Sequence, residues 1–93
     1  MIRGNEVEYW SALGNVARVR QAIVAGYDVN AKGEMGYTAL HAAAENGHMD
    51  VIRMLIDHGA KAGVCLDSGE SAYELAVLAG NAAAAELLRQ LGG

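Results

Sequence analysis

Apolar and polar side chains alternate with helical periodicity near the middle of the chain. The apolar residues that recur at this spacing are Val51, Ile52, Leu55 and Ile56. The polar residues on the opposite side are Asp50, Arg53 and Asp57. Because one helical turn takes about 3.6 residues, the pattern predicts an amphipathic helix over residues 48–58 with one packed face and one face in water.

Glycines recur along the chain at a constant interval of 33 residues. The sets related by this interval are Gly14, Gly47 and Gly80; Gly26, Gly59 and Gly92; and Gly36 and Gly69. A glycine directly after a helix suits the left-handed turn with which many helices end. The interval therefore indicates a repeat architecture, and such arrays usually bind other molecules through an extended surface.

Candidate helix caps keep the same register. They are Asn5, Thr38 and Ser71. Each side-chain oxygen can accept a hydrogen bond from an otherwise unpaired backbone N–H. Asn5 and Ser71 are followed by Glu8 and Glu74 at the third helical position, which is the capping-box pattern, whereas His41 stands there after Thr38.

Caps and glycines together predict six helices in three antiparallel pairs. The predicted helices span residues 5–13, 15–25, 38–46, 48–58, 71–79 and 81–91. Polar, glycine-rich stretches separate the pairs at residues 26–37 and 59–70. These two stretches predict loops or hairpins.

Residues 36–59 resemble an ankyrin repeat. The T-P-L-H-x-A signature of that family is matched at Thr38, Ala39, Leu40, His41 and Ala43, with Ala39 in place of proline. Residues 14–33 are similar to the second helix and following turn of a preceding repeat, and residues 69–92 are similar to a final repeat. The resemblance covers nearly the whole chain.

The resemblance implies an all-α ankyrin-repeat solenoid of three stacked helix-turn-helix repeats with hairpin-like finger loops and a concave face. The chain, residues 1–93, is expected to form one such domain, with repeats at about 3–32, 33–65 and 66–93. His41 is then expected to bond between the loops of neighbouring repeats, and His48 to begin a second helix. Lys61, Ala62 and Gly63 replace the family's Asp-Val-Asn pattern, which leaves the turn geometry of the second finger open.

Composition narrows the classes of partner. The chain carries 11 acidic and 7 basic side chains, for a net charge of −4, and its basic residues are scattered singly. A nucleic-acid surface normally needs clustered positive charge, so we expect no nucleic-acid partner. No apolar run is long enough for a signal peptide or a membrane span, which favours a cytoplasmic location, and one cysteine cannot form an internal disulfide.

Residue types that could support catalysis are present but poorly arranged. Cys65 is near His58 and Asp57 in sequence, yet His58 is expected to end a helix while Cys65 lies on a finger, and a nucleophile needs its base within hydrogen-bond reach. His41 and His48 fall on different helices, and no zinc-type ligand spacing completes them. We therefore expect no enzyme activity, no cofactor and no metal.

The resemblance also indicates which residues would contact a partner protein, because finger tips and exposed positions of the first helices form the contact surface of the family. The expected contact residues are Glu34, Met35, Tyr37, Glu45, Asn46, Asp67, Ser68, Glu70 and Leu78. Two functions remain open. The chain is either a non-catalytic adaptor or inhibitor that binds another protein through its concave face, or a structural homo-oligomer or assembly chaperone that associates through its terminal repeats. A monomer is favoured, and measuring mass over a range of concentrations separates the two.

Overall fold

Six α-helices in three antiparallel pairs account for most of the chain in the computed structural model, which describes residues 6–92. The helices are α1 (Glu6–Leu13), α2 (Val16–Val24), α3 (Ala39–Glu45), α4 (Met49–Asp57), α5 (Ala72–Leu78) and α6 (Ala82–Gln90). The six helices and their pairing are therefore confirmed, with most of the bounds one residue inside those predicted because the capping residues stand outside the helices. The predicted cap Asn5 lies outside the described residues.

The pairs stack side by side into two layers. Helices α1, α3 and α5 pack in that order to form one layer, and α2, α4 and α6 form the other. Each helix of the first layer also packs on its own partner in the second. This arrangement is the all-α solenoid that the resemblance of residues 36–59 implied.

Small side chains allow the first-layer helices to approach closely. Ala43 of α3 and Ala76 of α5 are fully buried between neighbouring helices. Larger apolar side chains fill the space between the layers, and Ile52 and Leu55 of α4 are completely covered. These two residues belong to the apolar face that the sequence pattern assigned to residues 48–58, and the opposite residues Arg53 and Asp57 are exposed.

A complete capping box begins α3, although the sequence pattern indicated capping boxes only at the first and third pairs. The Thr38 hydroxyl accepts from the His41 backbone N–H, and His41 Nδ1 in turn accepts from the Thr38 N–H at 3.2 Å. The imidazole thus replaces the glutamate that Glu74 supplies to the cap of α5. The other ring nitrogen, Nε2, lies 3.3 Å from the Glu70 carbonyl, so His41 joins α3 to the next finger as the resemblance implied.

The two fingers, residues 26–37 and residues 59–70, close with equivalent hydrogen bonds. In the first, the Gly33 N–H donates to the Tyr37 carbonyl at 2.7 Å; in the second, the Leu66 N–H donates to the Glu70 carbonyl at 2.8 Å. The open question about the second finger concerned the turn at Lys61, Ala62 and Gly63. There the Val64 N–H donates to the Lys61 carbonyl at 3.2 Å, as the Ala31 N–H donates to the Asp28 carbonyl at 3.1 Å in the first finger, so the turn is kept. One feature was not foreseen: residues Glu34–Gly36 form a turn of 3-10 helix.

Candidate functional site

A groove of about 390 Å³ lies between the tips of the two fingers and the start of α1. We call it the interfinger groove. Its lining residues are Glu8, Glu34, Met35, Tyr37, Leu66 and Ser68. Four of the nine expected contact residues therefore meet at one concave surface, with apolar walls beside carboxylates.

Met35 adopts a backbone conformation that an L-residue with a long side chain rarely takes. Its φ is 60° and its ψ is 22°, in the left-handed region, and it is the only residue other than glycine with positive φ in the described range 6–92. Its side chain is 69% exposed, so packing within the chain does not compensate for the strain. The Asp67 N–H donates a hydrogen bond to the Met35 carbonyl at 2.8 Å, and this bond joins the two finger tips.

Met35→Gly is expected to raise the free energy of unfolding by about 0.5–1 kcal/mol, because glycine adopts positive φ without steric cost and little buried surface is lost. Urea unfolding of the two proteins measures the difference. The matched control is Ser68→Gly, at the equivalent position of the second finger, where φ is not positive. There the same substitution should lower stability, and a gain of equal size in both variants would show that Met35 is not strained.

Tyr37 is held against α3 by both its ring and its hydroxyl. The ring stacks on His41 with centroids 5.8 Å apart, and the hydroxyl donates a short hydrogen bond to Glu45 Oε1. Partial burial, the bond to Glu45 and the negative charges of Glu45 and Glu8 all raise the pKa of the Tyr37 hydroxyl, so it remains a neutral donor. A half-buried, immobilised tyrosine presents a preordered aromatic surface to the groove.

The remaining expected contact residues fall into two groups. Near the groove, Ser68 donates a hydrogen bond to Glu70, and that bond lowers the pKa of the Glu70 carboxyl. Farther away, Asn46 ends α3 and donates to the Ala42 carbonyl at 2.9 Å, while Leu78 ends α5 and is 76% exposed. Neither Asn46 nor Leu78 lines the interfinger groove.

Glu8 and Leu66 are groove residues that the sequence interpretation did not include. Glu8 Oε1 would lie 3.1 Å from a Cβ atom placed on Gly33, so this carboxylate abuts the first finger. The 33-residue interval could have indicated Glu8, because Glu8 precedes His41 by 33 residues and both occupy the helical position next to a finger. Leu66 gave no such signal, since its equivalent in the first finger is Gly33.

Carboxylates dominate the charge around the groove. The acidic side chains on its walls and rim are Glu8, Glu34, Glu45, Asp67 and Glu70, and the first finger contributes Lys32 as its basic side chain. Like charges gathered in a concavity with low-dielectric walls strengthen the local negative potential. The groove therefore favours positively charged groups.

Two side chains with catalytic potential, Cys65 and His58, each contact a main-chain carbonyl. Cys65 is exposed and its Sγ lies 3.5 Å from the Gly63 carbonyl, while His58 Nδ1 lies 2.8 Å from the Met54 carbonyl. Within residues 6–92, no three His, Cys, Asp or Glu side chains are grouped so that they could hold a metal ion. None of the helices in that range has the length and apolar character needed to cross a bilayer.

Comparison with known families matches residues 9–93 to three copies of the ankyrin repeat. The chain belongs to the ankyrin-repeat family. Repeats of this family generally mediate protein–protein interaction and are typically non-catalytic. The family thus agrees with the stacked helix pairs and with the finger loops.

Several known proteins resemble parts of this chain. Ankyrin repeat domain-containing protein 39 of Homo sapiens is 43% identical over 54 residues, which are 56% of this chain and 30% of the relative. Protein phosphatase 1 regulatory subunit 12A of Mus musculus is 34% identical over 73 residues, 78% of this chain and 7% of that protein. Protein phosphatase 1 regulatory subunit 27 of Mus musculus is 34% identical over 62 residues, 67% of this chain and 40% of that protein. The ankyrin-repeat chain therefore spans less than half the length of each of these relatives.

Proposed function

We propose that this ankyrin-repeat chain is a non-catalytic adaptor or inhibitor that binds a partner protein through the interfinger groove and the adjoining concave face. The observation that carries the proposal is the exposed Met35, held at positive φ beside the immobilised Tyr37. A strained backbone at an exposed residue that does not pack within the chain is typical of positions kept for function. Two relatives named as regulatory subunits of a phosphatase support a role of this kind.

The chemistry of the groove defines the partner. Met35, Tyr37 and Leu66 supply apolar and aromatic surface, which contributes much of the binding energy at protein interfaces. Glu8 and Glu34 add negative charge at the edge. The partner is therefore a protein segment with a basic or mixed surface around an apolar anchor, and not a nucleic acid. Asn46 and Leu78 form the periphery of this contact. The proposed location of the chain is the cytoplasm.

Tyr37→Ala is expected to reduce the affinity for the partner by about 2 kcal/mol, since it removes an immobilised aromatic side chain from the centre of the contact. Partners captured with the wild-type chain are titrated by calorimetry against Tyr37→Ala and Met35→Gly. Cys65→Ser is the matched control, an exposed residue of the second finger that is not among those lining the groove. Loss of binding in Cys65→Ser with unchanged affinity in Tyr37→Ala would contradict the proposal.

Association with that partner is expected to slow as salt is added. The acidic groove attracts a basic surface before contact, and salt screens this attraction with a Debye length of about 8 Å at physiological ionic strength. Stopped-flow measurement of the association rate between 50 and 500 mM NaCl, about one decade of ionic strength, tests the effect. The charge-neutral variant Glu34→Gln should show a lower rate and a shallower salt dependence. A rate independent of salt would eliminate electrostatic attraction from the mechanism.

A structural homo-oligomer or assembly chaperone remains the second candidate. It draws support from the apolar side chains Tyr73 and Val77 on the terminal helix pair, of which Val77 is 51% exposed. Sedimentation at several concentrations distinguishes it from the adaptor, which is monomeric without its partner.

A further inference from the structure

The interfinger groove is small for a surface that binds a protein. Its volume is about 390 Å³, near the lower end of the range of roughly 300–1,000 Å³ that is typical of ligand pockets. An α-helix with its side chains is about 10–12 Å across and needs a wider trough. A cavity of this size therefore holds one long side chain from an extended segment and not the face of a helix.

The walls of the groove suit the stem of such a side chain. Met35 of the first finger and Leu66 of the second both line it. Met35 is largely exposed, so most of its apolar surface is available to another molecule. Long side chains with a charged head bury their methylene stems against apolar surface of this kind and keep the head close to water. The groove therefore fits a side chain with an apolar stem and a polar head.

Tyr37 adds a rigid aromatic surface to the same groove. His41 covers one face of its ring, with the two planes inclined by 22°, and the hydroxyl is bonded to Glu45. Tyr37 therefore contributes the remainder of its ring to the lining. A planar guanidinium stacks on aromatic surface, and the quadrupole of the ring attracts a cation.

Negative charge surrounds this ring. Glu8 and Glu34 line the groove, and Glu8 Oε1 would lie 3.1 Å from a Cβ atom placed on Gly33 of the first finger. In addition to partial burial and the bond to Glu45, the charges of Glu45 and Glu8 raise the pKa of the Tyr37 hydroxyl, so both carboxylates act at the same point. Among the described residues, those that line the groove include no basic side chain. The polar head that fits is therefore a cation.

Arginine fits this lining better than the other cationic side chains. The ammonium of lysine is compact and strongly hydrated, so it loses more on leaving water. A trimethylated lysine is held by a cage of aromatic rings, whereas Tyr37 is the one aromatic residue that lines the groove in the part of the chain described. Arginine has a weakly hydrated planar head with five N–H donors, which carboxylates accept in pairs.

We propose that the interfinger groove binds a single arginine side chain from an extended segment of the partner protein. The stem of that arginine packs on Met35 and Leu66. Its guanidinium lies on the Tyr37 ring and donates to Glu34, within the negative potential of Glu8. This inference rests on the function proposed above and makes it more specific, because one side chain supplies both the apolar anchor and the positive charge.

The test uses short peptides of the form Ac-Ala-Ala-X-Ala-Ala-NH2, in which X is arginine, citrulline, lysine, trimethyllysine or leucine. Both ends are blocked, so X carries any charge that the peptide has. Citrulline keeps the length and shape of arginine and is neutral. Each peptide is titrated into the ¹⁵N-labelled full-length chain up to about 20 mM, because a ligand of this size binds weakly. Changes in amide shifts give the affinity and locate the contact.

The arginine peptide is expected to shift the amides of Glu34, Met35 and Leu66 and not that of Arg53 on the far side of α4. The citrulline and leucine peptides should bind at least about tenfold more weakly, and the lysine and trimethyllysine peptides about threefold more weakly or worse. Nuclear Overhauser contacts should join the methylene protons of the arginine to the Met35 methyl group and to the Tyr37 ring.

Two variants of the chain test the assigned contacts. Glu34→Gln should weaken binding of the arginine peptide by about threefold to tenfold and leave that of the citrulline peptide unchanged. The matched control is Asp57→Asn, which removes the same charge at an exposed position of α4 and should have no effect. Met35→Gly should also weaken binding, and unfolding does not explain this loss because glycine relieves the left-handed φ at that position.

Equal affinity for the arginine and citrulline peptides would overturn the proposal, as would an arginine peptide that leaves the groove amides unchanged. Tighter binding of the lysine or trimethyllysine peptide would overturn it in favour of that side chain. Failure of the proposed function looks different, since the affinity for the captured partner is then unchanged in Tyr37→Ala whatever the peptides do. A partner weakened by Tyr37→Ala, together with no arginine peptide in the groove, would keep the function and remove the arginine.

Discussion

Gly14→Val is expected to lower the free energy of unfolding by about 3 kcal/mol or more, the largest effect of any single change considered for this chain. Gly14 has φ of +73°, and a Cβ atom there would lie 2.6 Å from His48 Nδ1. The substitution therefore strains the backbone and also displaces His48 from the Ala12 carbonyl. Urea unfolding followed by circular dichroism measures the loss.

Gly80→Val separates the two contributions. Gly80 has φ of +80° with nothing within 4 Å of its Cβ position, so only the backbone strain of about 1–2 kcal/mol should appear. Gly47→Val, whose Cβ would meet Asn81 at 3.2 Å, should fall between the two. Glu45→Ala, at an exposed position, should be milder than all three. Equal losses at Gly14 and Gly80 would show that packing between pairs contributes nothing.

His41→Leu should destabilise the chain by about 3 kcal/mol, because it leaves the buried Thr38 N–H and the Glu70 carbonyl without their imidazole partner. Burial lowers the pKa of His41 below its usual value of 6.5. In the unfolded chain the imidazole keeps its ordinary pKa, so as the pH falls it binds a proton at a higher pH than in the folded chain. The stability that neutral His41 confers is therefore fully present above about pH 6.5 and is lost as the pH falls toward the lowered pKa.

Unfolding measured between about pH 5 and 7.5 isolates this effect, since paired carboxylates with lowered pKa values change their contribution only below about 4.5. Stability of the wild-type chain should decline with acid by up to about 1.4 kcal/mol per pH unit. The decline should persist in His48→Asn and His58→Gln and disappear in His41→Leu. Acid sensitivity that survives in His41→Leu would assign the titration to another group.

Helices and their pairing could be predicted from local signals. The caps Thr38 and Ser71 and the glycines Gly14 and Gly47 set the ends of their own helices through bonds within a few residues, so the helix ends could be predicted without the rest of the fold. The residues that line the interfinger groove were harder to predict from the sequence. Glu8 and Leu66 reach it only because α1 and two fingers converge, and the carbonyl of the left-handed Met35 accepts from the Asp67 N–H of the other finger, a contact between residues far apart in sequence.

The different surroundings of equivalent helices in the first and third pairs could not be predicted from local sequence signals either. Trp10 and Val77 are both apolar residues of first-layer helices, and the helical period treats them alike. Their contacts distinguish them, because Trp10 is covered by Arg18 and bonded to Glu6, whereas Val77 faces an open cavity.

By itself, the sequence determined the repeat length, the six helices and the family, because caps, glycines and apolar periodicity are encoded within each 33-residue unit. Only the tertiary structure decided which side chains meet across units: those of the interfinger groove and the histidine that joins α3 to the second finger. The physical reason is that each of these depends on contacts between residues of different helix pairs, and their geometry is set by stacking and not by any local preference of the chain.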